Sequence, residues 1–203
     1  MTAFAARLAQ TVARYKQDPE SVYNTWFIGS EARLKAFRSL RRGVAAVVDD
    51  IQAGRFPNDF KGSSLEFVLG CITEQKQVFE GAAHPFYWKP KLRIPDIYEN
   101  AAHKQAFGQF LFRCLHTADV SALEREIARL DALAIKGLGP AVANILYFLH
   151  PTAFPPFNTA MVQGFNRLFG AKLKLGSWPA YLSMRATIVQ ANAEVATLSR
   201  DLG

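Results

Sequence analysis

Between Ile135 and Ala143 the chain reads Ile-Lys-Gly-Leu-Gly-Pro-Ala-Val-Ala, two glycines one residue apart ahead of a helical pattern. Glycine adopts backbone conformations that other residues resist, and with no side chain in the way its turn leaves amide donors open at the start of the next helix. Amides so arranged can hold one phosphate without reading base sequence. The donors would come from Gly137, Leu138, Gly139 and Ala141, and Lys136 could add a charge-assisted contact. An ordinary glycine corner between two packed helices would show the same residues.

Helices must position this turn, because the apolar periodicity is helical almost throughout. Phe4, Leu8, Val12 and Tyr15 mark a first helix that Asp18-Pro19 stops. A second is expected from about Glu31 to Ala53, closed by Gly54, with Arg33, Lys35, Arg38, Arg41 and Arg42 in its early part. A solvated helix face is the simpler account of that basic run, and a phosphate-contacting face is the other. A third helix is expected from Leu65 to about Phe79, with Ser63 or Ser64 as its N-cap. Further helices follow at about Ile97–Leu115, Ser121–Leu133, Pro140–Leu149, Phe157–Phe169 and Trp178–Leu198. Sustained period-two alternation is absent, so the class is all-α. Leu133, Ile135, Leu138, Val142 and Ala143 can pack the helices on either side of the glycines together, which makes the segment 130–150 a helix-hairpin-helix.

The chain has 203 residues, 50% of them apolar and 12% aromatic, enough to fill a sizeable core and too many for a disordered chain. Its net charge of +7 suits a polyanion, nucleic acid before an acidic membrane. Two cysteines, Cys71 and Cys114, are too few for a disulfide framework, a four-cysteine iron–sulfur cluster or a zinc ribbon. His103, His116 and His150 lack metal-ligand spacing with one another. The stretch from Met1 to Tyr15 has no long apolar run like that of a signal peptide, and no segment reads as a membrane span.

After the hairpin comes Phe154-Pro155-Pro156-Phe157 and then the run from Asn158 through Asn166-Arg167-Leu168 to Gly170. Here the chain resembles the helix-hairpin-helix DNA glycosylase superfamily, over about Ser64 to Gly170. The signature of that family is a glycine-rich hairpin, a helix, a short loop with a proline-rich or valine approach, then an Asp opening a helix that ends Asn-Arg-Leu-Gly. The resemblance implies a carboxylate at that Asp, stabilising the cationic sugar as the base leaves or activating a water. This chain has Asn158 instead, which carries no charge, is no useful base near neutral pH, and is also a favoured helix N-cap. Either Asn158 orients the attacking water through its carbonyl, or another carboxylate serves, or the protein binds DNA without breaking a bond. The bifunctional branch has a lysine two residues after the second hairpin glycine; here that position is Ala141, so strand-cleaving lyase activity is not expected. The cysteine count excludes the iron–sulfur branch, which leaves a monofunctional branch without metal or cofactor.

The resemblance also implies a helix whose polar tip fills the gap left by a flipped base. Phe67 to Val78 matches its apolar part, with Glu74 in place of a Gln, then Gln75 to fill the gap, and Lys76 in place of a Thr. Glu74 is the candidate substitute carboxylate, because in the family this helix faces the hairpin lobe across a cleft. An amphipathic core helix with a solvent-facing polar end accounts for the same run. In the 81–95 loop His84, Phe86, Tyr87 and Trp88 could sandwich an extruded base, while Lys89, Lys91 and Arg93 could meet phosphates. Aromatics plugging the core beneath a loop are the alternative. The expectation is a two-lobed all-α fold with a cleft between the lobes: N-terminal helices over 1–62 packing with the C-terminal helix, a glycosylase-like core over 63–170, and a closing helix over 171–203. The expected partner is double-stranded DNA, bound by a monomer in the cytoplasm at the nucleoid, with no membrane role.

Overall fold

The computed structural model describes residues 3–21, 23–28, 31–73 and 93–201, of which the backbone alone is described at 3, 26–28, 32–33, 140–141 and 197–201. Every regular element among them is helical: α1 (Ala3–Gln17), a short π-helix (Tyr23–Ile28), α2 (Glu31–Gln52), α3 (Ser64–Thr73), α4 (Pro95–Glu99), α5 (Ala101–His116), α6 (Val120–Asp131), α7 (Gly139–Leu149), α8 (Thr159–Phe169) and α9 (Trp178–Asp201). No helix among the described residues is long and apolar enough to cross a membrane.

The frame is built on α2, whose Leu40, Val44, Val47, Val48 and Ile51 are buried along one stripe. It packs against α3, α5 and α7. Two glycines permit the close crossings. A Cβ at Gly43 would lie 2.9 Å from Val68 Cγ2 of α3, and one at Gly108 of α5 would lie 2.7 Å from Ile51 Cγ2. The first helix packs against α9, and its Phe4 meets Phe169 at the end of α8 at 5.4 Å between ring centroids. Buried residues from Ala36 on α2 to Met184 on α9 form a single contiguous cluster.

Helix boundaries differ from the sequence pattern in one instructive place. The run expected as one helix from Ile97 is two, because the Asn100 side chain accepts from Ala102 and His103 amides and so begins α5 anew. Ser63 rather than Ser64 caps α3, its Oγ accepting from Glu66 N while the Glu66 carboxylate accepts from Gly62 N. The part of the third helix expected beyond Thr73 lies outside the described residues.

Candidate functional site

Helices α6 and α7 flank the turn 132–138. Asp119 caps α6 by accepting from Ser121 N, and Ala134 (φ +50°) and Gly137 (φ +80°) turn the chain back. Ile135 and Leu138 are buried and anchor the turn. The two glycines have different work. Gly137 needs its left-handed backbone, whereas a Cβ at Gly139 would sit 3.5 Å from the Trp178 ring, an ordinary contact.

Helix α7 opens without a side-chain cap, as does the five-residue α4, whereas α5, α6 and α8 are capped by Asn100, Asp119 and Asn158. Pro140 has no N–H, and the amides of Gly137 and Gly139 find no partner among the described residues. They border a depression of about 130 Å³ between the turn and the segment Gly176–Trp178. Lys136 is exposed. Two carboxylates stand close by: Asp96, which accepts from Lys136 N at 3.4 Å, and Asp131, which lines the depression. The turn therefore offers open amides with little net positive charge.

Asn158 is 2% exposed and caps α8, its Oδ1 accepting from Met161 N at 2.9 Å. The loop that delivers it is clamped from three helices. From α7, Asn144 Nδ2 donates to Phe157 O at 3.0 Å, and Phe157 N donates back to Asn144 Oδ1 at 3.1 Å. From α9, Tyr181 Oη donates to Pro155 O at 2.9 Å and Arg185 Nε to Ala153 O at 2.7 Å. The Arg185 guanidinium also lies 4.7 Å from the Phe154 ring centroid and pairs with Glu124 of α6. At the start of the loop His150 Nε2 donates to Cys114 O at 2.7 Å. Burial, and then the nearby Arg41 charge, hold His150 below the usual histidine range, while its bond to the Cys114 carbonyl pulls the other way. Asn166 closes α8 as Asn144 holds the loop, exchanging hydrogen bonds with Leu173 at 2.8 and 2.9 Å, and Gly170 (φ +63°) ends the helix.

Of the residues singled out in the sequence, the described structure contains Lys136, Gly137, Leu138, Gly139, Ala141 and Asn158. Leu138 serves the core, and Ala141 lies in the uncapped first turn of α7. Glu74, Gln75, Lys76, His84, Phe86, Tyr87 and Trp88, with Lys89 and Lys91, lie outside the described residues. Arg93 is at the edge of that loop and pairs with Asp59 at 3.3 Å, so its charge is already engaged. Asn144 and Arg185 were not singled out, although a lone Asn inside the apolar run Ala-Val-Ala-Asn-Ile-Leu-Tyr-Phe-Leu was a visible signal. Cys71 and Cys114 are buried and form no disulfide, and burial pushes the Cys114 thiol well above the ordinary thiol range. Among the described residues no three His, Cys, Asp or Glu side chains group as a metal site.

The described residues thus define an all-α protein with an uncapped, glycine-turned helix start and a firmly clamped loop leading to a buried Asn. No protein-family model matches the chain, and neither a curated protein nor a solved structure matches it significantly.

Proposed function

We propose that this chain is a DNA-binding protein of the helix-hairpin-helix glycosylase type, in which α6, the turn and α7 form the hairpin and double-stranded DNA is the partner. One observation carries the reading: α7 begins with open amides and no side-chain cap, while the long helices α5, α6 and α8 each begin with a capping side chain. Such a helix start is suited to one phosphate oxygen pair. In this reading two lobes face one another across a cleft, a damaged or modified base is flipped into it, and the N-glycosidic bond is hydrolysed with no lyase step, Ala141 standing where an attacking lysine would be needed. Asn158, with Glu74 as a second candidate, would meet the sugar and the water.

The commitment of Asn158 Oδ1 to the Met161 amide favours a second reading, a glycosylase-like protein that binds DNA without breaking a bond. With Asn158 2% exposed, water has little access to the remaining lone pair of that carbonyl, and a neutral amide gives an oxocarbenium ion no counter-charge. The two are separated by incubating duplexes that carry damaged or modified bases with the protein and then with alkali. Alkali-labile abasic sites that disappear in Asn158→Ala support hydrolysis. Product only from Asn158→Asp identifies a disabled enzyme. No product from either, with salt-dependent duplex binding intact, leaves the binding protein alone. Absence of duplex binding overturns both readings.

A further inference from the structure

The net charge of +7 is not gathered at the turn, where Lys136 stands between Asp96 and Asp131. A cluster of its cations stands on the first half of α2. Lys35, Arg38, Arg41 and Arg42 line a concavity of about 830 Å³ whose other side is Leu115 and His116, at the end of α5. Arg41 is spent on the fold, donating to Leu115 O. Lys35, Arg38 and Arg42 are exposed, and among the described residues none of the three makes an ion pair; Arg42 reaches only Ser39 Oγ, at 3.3 Å. A solvated helix face usually intersperses carboxylates among its cations, and like charges three or four residues apart repel. Here the cations are stacked on one face and line a hollow.

Beside the hollow Phe112 is 42% exposed, its ring 4.3 Å from that of His116 at an interplanar angle of 30°. An exposed aromatic pair next to an unneutralised basic groove is what a single strand requires: cations along the backbone and a face on which an unpaired base can stack. In a duplex the base faces are already covered by their neighbours. The geometry points to a second nucleic-acid site that takes a single-stranded segment, with phosphates on Lys35, Arg38 and Arg42 and a base on the Phe112–His116 pair. It is separate from the turn. His150, which caps the C-terminus of α7, bonds to Cys114 next to the groove, and the turn precedes the N-terminus of α7. Eleven residues of helix intervene, ~16 Å at ~1.5 Å per residue. The site goes beyond the proposed glycosylase-type reading and stands without it.

The test is fluorescence anisotropy of a labelled oligothymidylate with the full chain over a salt series. Lys35→Ala/Arg38→Ala/Arg42→Ala is expected to weaken binding and to lower the slope of log affinity against log salt by about 2, since each single-strand phosphate contact contributes ~0.7. Phe112→Leu is expected to weaken binding at least ~5-fold with the slope unchanged, and Phe112→Trp to restore it. All four side chains are exposed, so thermal melting should match the unsubstituted protein. Loss of oligothymidylate binding in the triple variant, with binding kept in Lys136→Glu, supports the groove whatever the fate of the duplex reading. Equal affinity and slope in the triple variant overturn it, even where Lys136→Glu abolishes duplex binding and so sustains the turn. No oligothymidylate binding at all also overturns it, as does capture of phosphatidylserine vesicles in place of the oligonucleotide.

Discussion

Asn144 is predicted to hold the candidate site in place more than any other side chain on α7. It is 0% exposed and pairs through both ends of its amide with the backbone of Phe157, the residue before Asn158. Truncation to Ala removes at least these two hydrogen bonds and leaves a buried N–H and a buried C=O without these partners, each at roughly 1–3 kcal/mol. The sum, about 3 kcal/mol after partial relaxation, corresponds to a fall in melting temperature of roughly 6–12 °C for a chain of this size. Asn166→Ala is the internal comparison, because Asn166 makes the same two-way bond to Leu173 from a half-buried position where water can replace it. It should lose about 1 kcal/mol. Denaturant unfolding of both variants, read with hydrogen exchange at Phe157 and Met161, measures the difference. A loss below about 0.5 kcal/mol in Asn144→Ala, or one no larger than that of Asn166→Ala, would refute the idea that burial makes this pair decisive.

Three further outcomes are expected. Gly137→Ala forces a side chain into the left-handed region and should destabilise by roughly 1–2 kcal/mol, whereas Gly139→Ala, meeting Trp178 at ordinary contact distance, should be neutral or slightly stabilising; equal losses in thermal melting would contradict the assignment. His150 is held below its unfolded value of about 6.5, so the unfolded chain binds the extra proton first. Its contribution is complete above that value and is lost as pH falls through the folded one. His150→Gln should therefore show a shallower acid-side loss of stability than the unsubstituted chain, and parallel curves would remove His150 as the cause. Arg185→Lys keeps the charge but not the planar fork that reaches Ala153, Glu124 and the Phe154 ring, and should lower unfolding stability by about 1–3 kcal/mol; a change within error would show that charge alone suffices.

Helical class and most helix limits were legible because apolar spacing records burial directly: the stripe Leu40, Val44, Val47, Val48, Ile51 is buried as its period requires. The break at Asn100 was missed because apolar periodicity continues across it, and only the polar cap restarts the helix. Asn144 and Arg185 were missed for a related reason. Their importance depends on carbonyls and amides 13 and 32 residues away in the chain, on elements whose approach no local pattern encodes. The α2 cations were legible as a charged run, but their convergence on Leu115 and His116 exists only once α2 and α5 are packed.

The surroundings of Asn158 explain why local pattern and chemistry can part company at this position. Everything that fixes the residue acts on the backbone before it: Asn144 on Phe157, Tyr181 on Pro155, Arg185 on Ala153. What the residue itself supplies to the fold is one acceptor for the Met161 amide, and Asp supplies that acceptor as well as Asn does. The cap therefore accepts either side chain, and the cost of a charge at 158 comes from its burial, at 2% exposure, against the favourable N-terminus of α8. Asn158→Asp should match the unsubstituted chain at a pH where its carboxyl is protonated and lose stability as pH rises and the buried group must ionise, while Asn158→Ala should lose about 1 kcal/mol. An alkali-dependent cleavage assay of the Asp variant is therefore read beside its melting curve at the same pH. Stability that does not fall with rising pH in Asn158→Asp would refute this and mean that the surroundings of residue 158 accept a negative charge.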